Sequence, residues 1–277
     1  MKLIRFSAEG RTSTGVVVGD AVVDVGRRAP DLAAIDAMLG AREEVARLVQ
    51  GATADYRLDQ VRLLAPLERI NRIFAVGVNY KSHAEETGRE VSPRPSVFTR
   101  THESIVPHGA PVIRPKASSR FDFEGELAAV IGRRAHLVSE QDALEYVGGY
   151  SCFMDGSVRD YQKFSVTAGK NFDRSGAYGP WIVTSDDIPD PTRLTLTSRL
   201  NGLEMQRSGT DLLIYSVPLI VSYLSEITTL VPGDVIATGT PAGVGHRRDP
   251  QVWMKKGDRI EVEITDIGIL ANTVEDE

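Results

Sequence analysis

The chain has 277 residues and a formal net charge of −6, with 42% hydrophobic and 25% charged residues. This length and composition predict a globular protein of one large domain or two, and the negative charge gives no reason to expect nucleic acid as a partner. No apolar run approaches the ~18–20 residues that span a bilayer, so no membrane partner is expected. The single cysteine, Cys152, excludes an internal disulfide and suits a cytoplasmic protein.

Residues 1–68 are predicted to form a small N-terminal α+β domain. Val16–Val25 contains two β-rich runs about a Gly-Asp pair, which predicts a hairpin. Asp31 is expected to cap a helix over Leu32–Leu39. This segment lacks a pattern of chemically active residues, so its expected role is to pack against or cover the second domain, residues 69–277.

The second domain opens with Ile73–Val78, an apolar run typical of a buried strand that delivers Tyr80 and His83 to a loop. His83 and Glu86 are three residues apart, so one helical turn places them on one face within hydrogen-bonding distance. A carboxylate that orients an imidazole makes a general base. A surface turn with incidental acids gives the same spacing, and both alternatives stay open at this point.

The next stretch holds cations and histidines whose spacing is less informative. Arg100 either meets a carboxylate or remains a surface cation. The other four histidines have no partner at a metal-ligand spacing and are predicted to be structural or solvated: His102, His108, His136 and His246.

Two glutamates, Glu124 and Glu126, would point to the same face of a strand because side chains alternate along it. They lead into an apolar run that contains no Lys or Arg, and buried carboxylates are unfavourable without a compensating charge. Asp155 ends a second apolar run, Tyr146–Met154, and would bring a third carboxylate to the same strand end. A divalent cation (Mg²⁺, Mn²⁺ or Ca²⁺) would supply the charge. The alternative is a solvated strand edge, and Asp122, on the same face, is the next candidate ligand.

A short helix is predicted over Val158–Phe164, with Ser157 as its cap. Arg159 and Asp160 are adjacent, so they lie on different faces of that helix and are expected to tether neighbouring segments. Lys170 lies in a Gly-Lys-Asn turn, and an isolated lysine of this kind is usually on the surface.

The C-terminal part combines turn signals with one long apolar helix. Asn201-Gly202 joins two alternating runs and predicts a hairpin. The helix predicted over Val217–Leu230 leaves little polar face for solvent, which favours a homodimer. The glycines of Gly239–Gly245 lack the lysine of a phosphate-binding loop, so we expect them to let backbone approach the active site. The Thr240 hydroxyl is a candidate ligand contact.

The order of elements predicts a β-rich, mixed α/β fold. Many short strands without a strand–helix rhythm argue against a doubly wound sheet. The chain lacks a Gly-x-Ser-x-Gly elbow and any Cys/His set with zinc spacing. Cys152 lies inside an apolar run and is not expected to be a nucleophile.

A set of motifs in fixed order, between about residues 70 and 275, resembles the fumarylacetoacetate hydrolase family. The motifs are Asn79–Glu86, Asp122–Gly132 with Asp155 some thirty positions on, Arg159–Gln162, Gly169–Asp173 and Gly233–Pro241. The resemblance implies the mixed β-sandwich roll of that family, usually dimeric, and a metal held by Glu124, Glu126 and Asp155.

The resemblance also implies roles for individual residues. His83 and Glu86 match a water-activating pair on a segment that closes over substrate. Lys170 matches a lysine beside the metal, and Gln162 matches a position in the substrate pocket. Arg100 departs from the family, where a lysine is often found. Further candidate substrate contacts are Tyr80, Arg100 and Thr240.

These parts predict a hydrolase that cleaves the C–C bond of a 2,4-dioxo acid of acylpyruvate or fumarylpyruvate type, through a metal-bound enolate and a water activated by His83. The expected cofactor is Mg²⁺ or Mn²⁺, and the expected partner is a small anionic 2-oxo acid. Relatives with the same motifs isomerise or decarboxylate related acids, including oxaloacetate, so that activity is the alternative. A non-catalytic metal-binding protein is the third possibility.

Overall fold

The computed structural model describes residues 1–277 as 19 strands and seven short α-helices. The strands are β1 (Lys2–Ala8), β2 (Arg11–Val18), β3 (Ala21–Asp24), β4 (Tyr56–Arg57), β5 (Arg62–Leu63), β6 (Ile73–Gly77), β7 (Ser96–Arg100), β8 (Ile105–Pro107), β9 (Val112–Arg114), β10 (Phe121–Asp122), β11 (Gly125–Ile131), β12 (Val147–Met154), β13 (Ser157–Val158), β14 (Gly176–Thr184), β15 (Thr195–Leu200), β16 (Leu203–Gly209), β17 (Val235–Ala237), β18 (Arg259–Ile264) and β19 (Gly268–Asp276). The helices are α1 (Val25–Arg28), α2 (Ile35–Gly40), α3 (Arg42–Val49), α4 (Lys81–Thr87), α5 (Arg159–Gln162), α6 (Val166–Lys170) and α7 (Val217–Ile227). None of these helices is long and apolar enough to cross a membrane.

Two large sheets dominate the fold. The 12-stranded sheet has the order β4-β3-β2-β1-β14-β12-β11-β17-β6-β7, with β5 beside β1 and β8 beside β14. The five-stranded sheet has the order β16-β15-β18-β19-β9, and β10 pairs with β13 in a separate ribbon. Most pairs are antiparallel, which agrees with the predicted β-rich class and excludes a doubly wound sheet.

The N-terminal segment continues the large sheet. Its strand β1 pairs with β14, with Leu3 opposite Ile182, so hydrogen bonds cross the predicted boundary at residue 68. The hairpin of β2 and β3 forms as predicted, whereas helix α2 begins at Ile35 and Asp31 does not cap it. A three-residue 3₁₀ turn, Pro30–Leu32, occupies the place of the expected first helical turn.

Strands β11 and β12 form the centre of the large sheet and carry the candidate site at their ends. Leu127 packs into one core cluster and Ala128 into another, because β11 is buried on both faces. A strand of this kind has an unbroken apolar sequence. Gly125 pairs with Met154, so the start of β11 and the end of β12 lie side by side.

The hairpin turn predicted at Asn201-Gly202 is confirmed. Asn201 has φ +54° and Gly202 has φ +81°, the left-handed conformations that a two-residue hairpin turn requires. Between the sheets, Cys152 is fully buried, and burial raises the pKa of its thiol to about 12. The thiol is therefore protonated at neutral pH, in agreement with the prediction that it is not a nucleophile.

Helix α7 does not provide a free apolar face. It begins after the capping residue Ser216 and ends at Ile227, three residues earlier than predicted. Its buried side chains, among them Ile220 and Leu224, belong to the core of the same chain. The apolar character of this helix is thus explained by internal packing, and the homodimer stays a prediction without that support.

Candidate metal centre and active site

Three acids meet where β11 begins and β12 ends. Glu124 and Glu126 flank Gly125, and the Asp155 backbone N–H donates to the Glu124 carbonyl at 2.8 Å. One carboxylate oxygen from each of the three residues lies within 4.8 Å of the other two, and all three side chains are buried. The structure thus brings together the three carboxylates that the alternation along the strand predicted.

Three cations from distant segments neutralise part of this charge. Lys170 Nζ donates to Glu124 Oε2 at 2.6 Å and to Asp155 Oδ2 at 2.5 Å. Arg159 contacts Glu124 Oε1 at 2.8 Å, and Arg100 donates to Asp155 Oδ1 at 2.5 Å. The prediction that a divalent cation would compensate the acids was incomplete, because these three protein cations, which are distant in sequence, also do so.

The pKa values reflect this arrangement. Burial alone would raise the pKa of Glu124, but Lys170 and Arg159 lower it below its usual range. Glu126 forms no salt bridge, and burial together with the Asp155 and Glu124 carboxylates raises its pKa well above the usual range. Glu126 is therefore the acid that lacks a compensating charge.

The donor set fits a hard divalent cation. Four buried carboxylates, those of Asp122, Glu124, Glu126 and Asp155, face three buried cations, which leaves one unit of negative charge when all four carboxylates are ionised. Three carboxylate oxygens are the ligands that Mg²⁺, Mn²⁺ and Ca²⁺ prefer. Each carboxylate oxygen has two lone pairs, so an oxygen that accepts a hydrogen bond can also bind a cation. Glu124, Glu126 and Asp155 would hold the ion.

Asp122 is not part of this triad. Its Oδ2 accepts from Arg159 Nε at 2.8 Å, and its two oxygens accept from the backbone N–H groups of Gly245 at 2.8 Å and His246 at 3.1 Å. Asp122 thus joins α5 to the loop after β17. As predicted, Arg159 tethers neighbouring segments, and Asp160 does so by accepting a hydrogen bond from Ser118 at 2.6 Å.

The glycine-rich loop after β17 brings backbone amides to the acids, as the sequence predicted. Gly239 donates to Glu126 Oε2 at 2.8 Å and Gly243 donates to Glu86 Oε1 at 2.8 Å. Gly239 has φ +106°, and a Cβ there would lie 2.6 Å from Asn79 Cβ, so only glycine fits.

His83 and Glu86 form the predicted pair on one face of helix α4. His83 Nδ1 lies 3.1 Å from Glu86 Oε2, and the imidazole lines the same pocket as the three acids. Because Nδ1 faces the carboxylate, Nε2 is the atom that remains for a ligand or a water. Glu86 is itself held by Gly243, so the imidazole is oriented by a carboxylate that is fixed to the body of the protein.

Lys170 and Gln162 also line the pocket. The Lys170 ammonium donates three hydrogen bonds, to Glu124 and to two oxygens of Asp155, so all its protons are already used. Gln162 Oε1 accepts from Arg159 at 2.9 Å, which leaves the amide nitrogen as a donor toward the pocket. Helices α5 and α6 pack so closely that a Cβ at Gly169 would lie 2.6 Å from Gln162.

The three other candidate substrate contacts lie in different surroundings. Thr240 lines the pocket, but its hydroxyl donates to Gly125 O at 2.9 Å and accepts from Gln206 at 2.7 Å. Tyr80 is buried outside the pocket lining, and burial and the nearby Glu126 raise the pKa of its phenol. Arg100 requires a correction: its fully buried guanidinium lies behind Asp155, so it positions a candidate metal ligand instead of contacting substrate.

His246 is a pocket residue that the sequence did not indicate as part of the site. It was predicted to be structural or solvated, whereas its side chain lines the pocket and its Nδ1 lies 3.6 Å from Asp122 Oδ2. The other three histidines agree better with the prediction that they are structural or solvated. His102 and His108 accept backbone hydrogen bonds from Ile70 and Ala271, and His136 is exposed.

The pocket that contains these groups has a volume of about 390 Å³. A larger cleft of about 880 Å³ lies between residues 57–64 and 107–111, beside Trp181. The larger cleft contains none of the three acids and no histidine–carboxylate pair, so chemistry and not size identifies the active site.

Comparison with known proteins places the chain in the family that its motifs resemble. The family model for the fumarylacetoacetate (FAA) hydrolase C-terminal domain matches residues 72–275. A mitochondrial oxaloacetate tautomerase of Rattus norvegicus is 34% identical over 286 residues, covering 99% of this chain and 91% of the relative. A fumarylacetoacetate hydrolase structure from Exiguobacterium antarcticum has 36% identity and a TM-score of 0.85, with both chains fully covered.

A third relative is a maleylpyruvate hydrolase from Sphingobium sp. SYK-6, solved with manganese(II) and pyruvate. It has 29% identity and a TM-score of 0.83, covering 100% of this chain and 99% of the other. The fold and the site thus define a β-rich protein with a buried carboxylate centre suited to a divalent cation, beside a histidine–glutamate pair. The chain belongs to the fumarylacetoacetate hydrolase family, whose members are enzymes.

Removal of the Arg100 cation should destabilise the protein. In Arg100→Met, Asp155 stays buried and loses one of its two cationic partners, and breaking a buried pair in this way costs ~3–5 kcal/mol. Urea unfolding measures the change. Arg133→Met is the matched control, because Arg133 pairs with Glu145 in solvent at 3.7 Å, and it should change stability by less than ~1 kcal/mol. Equal stability of the two variants would contradict the positioning role.

Metal binding is expected to depend on Glu126. Calorimetric titration with Mn²⁺ should show one site per chain, and Glu126→Gln should weaken it by at least ~10–100-fold, the loss usual even for residues that only support a ligand. Glu145→Gln, at an exposed position, serves as the control and should bind as the wild type does. Unchanged Mn²⁺ affinity in Glu126→Gln would reject the assignment of this ligand.

Proposed function

We propose that the protein is a divalent-metal-dependent hydrolase that cleaves the C3–C4 bond of a 2,4-dioxo acid of acylpyruvate or fumarylpyruvate type. The observation that carries the proposal is the His83–Glu86 pair, whose imidazole lines the same pocket as the three acids. An oriented imidazole beside a cation site is suited to activate water, and hydrolysis requires that activation.

The substrate head is expected to lie at the three acids. A bound Mg²⁺ or Mn²⁺ supplies Lewis acidity, which lowers the energy of negative charge that develops on a 2-oxo acid. Mg²⁺ is the proposed resident ion, with Mn²⁺ as the alternative. The pyruvate and manganese(II) in the Sphingobium maleylpyruvate hydrolase structure support a 2-oxo acid head in this pocket.

The protein residues then perform the hydrolysis. His83 Nε2 accepts a proton from water while the water oxygen forms a bond to C4. The C3–C4 bond breaks, and its electron pair leaves with C3 as the pyruvate enolate. The imidazolium returns its proton to C3, so the products are pyruvate and a carboxylic acid derived from C4. Glu86 keeps the imidazole oriented throughout.

The oxyanion on C4 needs a hydrogen-bond donor. The amide nitrogen of Gln162 is a free donor on the pocket wall, since its carbonyl is held by Arg159. A donor of this kind contributes ~3–4 kcal/mol to the transition state. Lys170 can donate only if it exchanges one of its bonds to Asp155, so we assign it mainly to the charge of the metal centre.

The second candidate is an isomerase, tautomerase or decarboxylase of a related acid, including oxaloacetate. The oxaloacetate tautomerase relative, 34% identical across nearly the whole chain, favours it. In a tautomerisation or isomerisation His83 would remove a proton from C3 instead of activating water, and the same cation site would serve these reactions and hydrolysis.

Turnover of three compounds separates these activities. Acetylpyruvate, fumarylpyruvate and oxaloacetate are each incubated with Mg²⁺ or Mn²⁺, and pyruvate release and the keto–enol ratio are followed. Hydrolysis of a dioxo acid supports the first proposal. Acceleration of oxaloacetate tautomerisation, or pyruvate release from oxaloacetate but from neither dioxo acid, supports the second, and no turnover of any compound rejects both.

Substitution of His83 should separate the chemistry from metal binding. His83→Ala is expected to lower hydrolysis by ~10²–10⁴-fold, the usual contribution of a general base. Mn²⁺ affinity should stay nearly unchanged because His83 is not a ligand, and Glu86→Gln should reduce the rate less. Steady-state kinetics with acetylpyruvate measures the rates. Equal loss of hydrolysis and of C3 proton exchange into deuterated water would favour the second candidate.

We also propose a homodimer, which rests on the family resemblance alone now that α7 is explained by the core. Light scattering at micromolar concentration should give about twice the chain mass of 30.2 kDa. A mass of one chain would reject the dimer.

A further inference from the structure

A second imidazole–carboxylate pair is present at the pocket, besides the pair of His83 and Glu86. The His246 side chain lines the pocket, and its Nδ1 lies 3.6 Å from Oδ2 of the fully buried Asp122. This distance is slightly longer than a hydrogen bond, as is common for catalytic contacts in free enzymes. Because Nδ1 faces an acceptor, we expect the neutral ring to carry its proton there, which leaves the Nε2 lone pair for a ligand.

Asp122 is held in place as an acceptor. Its Oδ2 accepts from Arg159 Nε at 2.8 Å, and its Oδ1 accepts from the Gly245 backbone N–H at 2.8 Å. Both donors are N–H groups, so the carboxylate needs no proton of its own and can accept a further bond from His246.

The two pairs are built in the same way. Gly243 donates to Glu86 and Gly245 donates to Asp122, so one glycine-rich loop fixes both carboxylates. In each pair the carboxylate faces Nδ1 of the histidine, and Nε2 remains. The site thus contains two oriented imidazoles, whereas the proposed hydrolysis uses one.

The imidazole of His246 is not required to hold its own turn. The turn Gly245–Arg247 is fixed by its backbone, since the His246 N–H donates to Asp122 at 3.1 Å and the His246 carbonyl accepts from Gln251 at 2.8 Å. The ring nitrogen Nδ1 is buried and has no hydrogen-bond partner within 3.5 Å. A buried polar atom without a partner is uncommon, and a role toward a ligand in the pocket explains it.

His246 is connected to the side of the pocket that holds Gln162. The Arg159 guanidinium donates to Asp122 at 2.8 Å and to Gln162 Oε1 at 2.9 Å. Gln162 is the proposed donor to the oxygen on C4. The same oxygen is therefore the substrate atom that we assign to His246.

A 2,4-dioxo acid exists in water partly as an enol. Its C3 protons lie between two carbonyl groups, so one of them moves readily to oxygen. When the C4 oxygen holds that proton, C4 is no longer a carbonyl carbon that water can attack. Hydrolysis of the enol therefore requires that the C4 oxygen loses a proton and that C3 gains one.

We propose that His246 is the base that removes the proton from the C4 oxygen of this enol. The assignment rests on the proposed hydrolysis of a 2,4-dioxo acid and adds a step before it. The O–H proton bonds to His246 Nε2, and the O–H electron pair forms the C4 carbonyl. The π electrons of the C3–C4 double bond take a proton from the His83 imidazolium, so C3 becomes a methylene group.

The proton balance suits the step that follows. His83 is neutral after it has protonated C3, and neutral His83 is the form that accepts a proton from water. His246 has a side chain that is 24% exposed, so it can return its proton to solvent, and His83 gains the next proton from solvent. One proton enters and one leaves for each enol that is converted.

The time course of acetylpyruvate hydrolysis tests this role. Acetylpyruvate is a mixture of keto and enol forms, whose ratio is measured by NMR. With Mg²⁺ present, enough enzyme is used that the keto form is consumed faster than the enol ketonises by itself. The wild type should release pyruvate from the whole mixture in one phase.

His246→Gln keeps a polar side chain but lacks a base. It should give a burst of pyruvate equal to the keto fraction, and then a slow phase at the uncatalysed rate of ketonisation, independent of enzyme concentration. Consumption of the enol should thus fall by ~10²-fold or more, the usual contribution of a positioned base. The burst also shows that the variant is folded. His246→Asn, which also lacks a base, should give the same burst.

His136→Gln is the matched control, because His136 is an exposed histidine outside the pocket lining, and it should behave as the wild type does. A structural role of His246 would slow the whole time course and remove the burst, and this result in both His246 variants overturns the proposal. A single fast phase in the variants, or a burst in the wild type, overturns it as well.

Failure of the proposed function gives a different result. If the wild type releases no pyruvate from acetylpyruvate, the hydrolase is rejected, and loss of the enol absorbance then measures ketonisation alone. Faster ketonisation by the wild type than by His246→Gln would leave the role of His246 standing, whereas equal rates would reject it. Hydrolysis in one fast phase by both proteins would reject the role of His246 and leave the hydrolase standing.

Discussion

Burial of four carboxylates at one end of the central strands is the constraint on which the rest of the structure depends. An unpaired buried charge costs several kcal/mol. Groups from distant parts of the chain compensate the charges of these carboxylates. Arg100, Arg159 and Lys170 provide charge, and amides of the glycine-rich loop provide hydrogen bonds. The loop must come close enough for its backbone to donate, which explains glycine at 239.

The glycine-rich loop that donates to these acids also positions the His83–Glu86 pair. Gly243 holds Glu86, which orients His83, while Gly245 holds Asp122. Helix α4, which carries His83, and the buried Asp122 are therefore both attached to the loop after β17. A change of position in this loop would therefore alter the placement of His83 relative to the three acids.

Local rules were enough to predict the centre itself. Alternation along a strand placed Glu124 and Glu126 on one face, and the apolar run before Asp155 placed a third acid at a strand end. Helical spacing likewise predicted the His83–Glu86 contact. These inferences succeeded because each depends on residues that are close in sequence or on the ends of long, strongly apolar strands.

The compensating partners could not be predicted in the same way. Arg100 and Asp155 are 55 residues apart, and His246 and Asp122 are 124 apart, so only the tertiary fold brings them together. A lone arginine or histidine gives no signal for such a contact. The fold also determined which apolar surfaces were free: α7 looked like an interface helix in sequence, yet its apolar side chains fill the core of its own chain.

The three acids do not decide between hydrolysis and tautomerisation, because both reactions develop negative charge on the same 2-oxo acid head. The two differ in what lies beside His83 Nε2. Hydrolysis needs a water between the imidazole and C4, whereas tautomerisation needs C3 itself at that position. Glu86 orients the imidazole and Gly243 holds Glu86, so the fold sets the position of Nε2, and the carbon that a substrate presents to that atom determines the reaction.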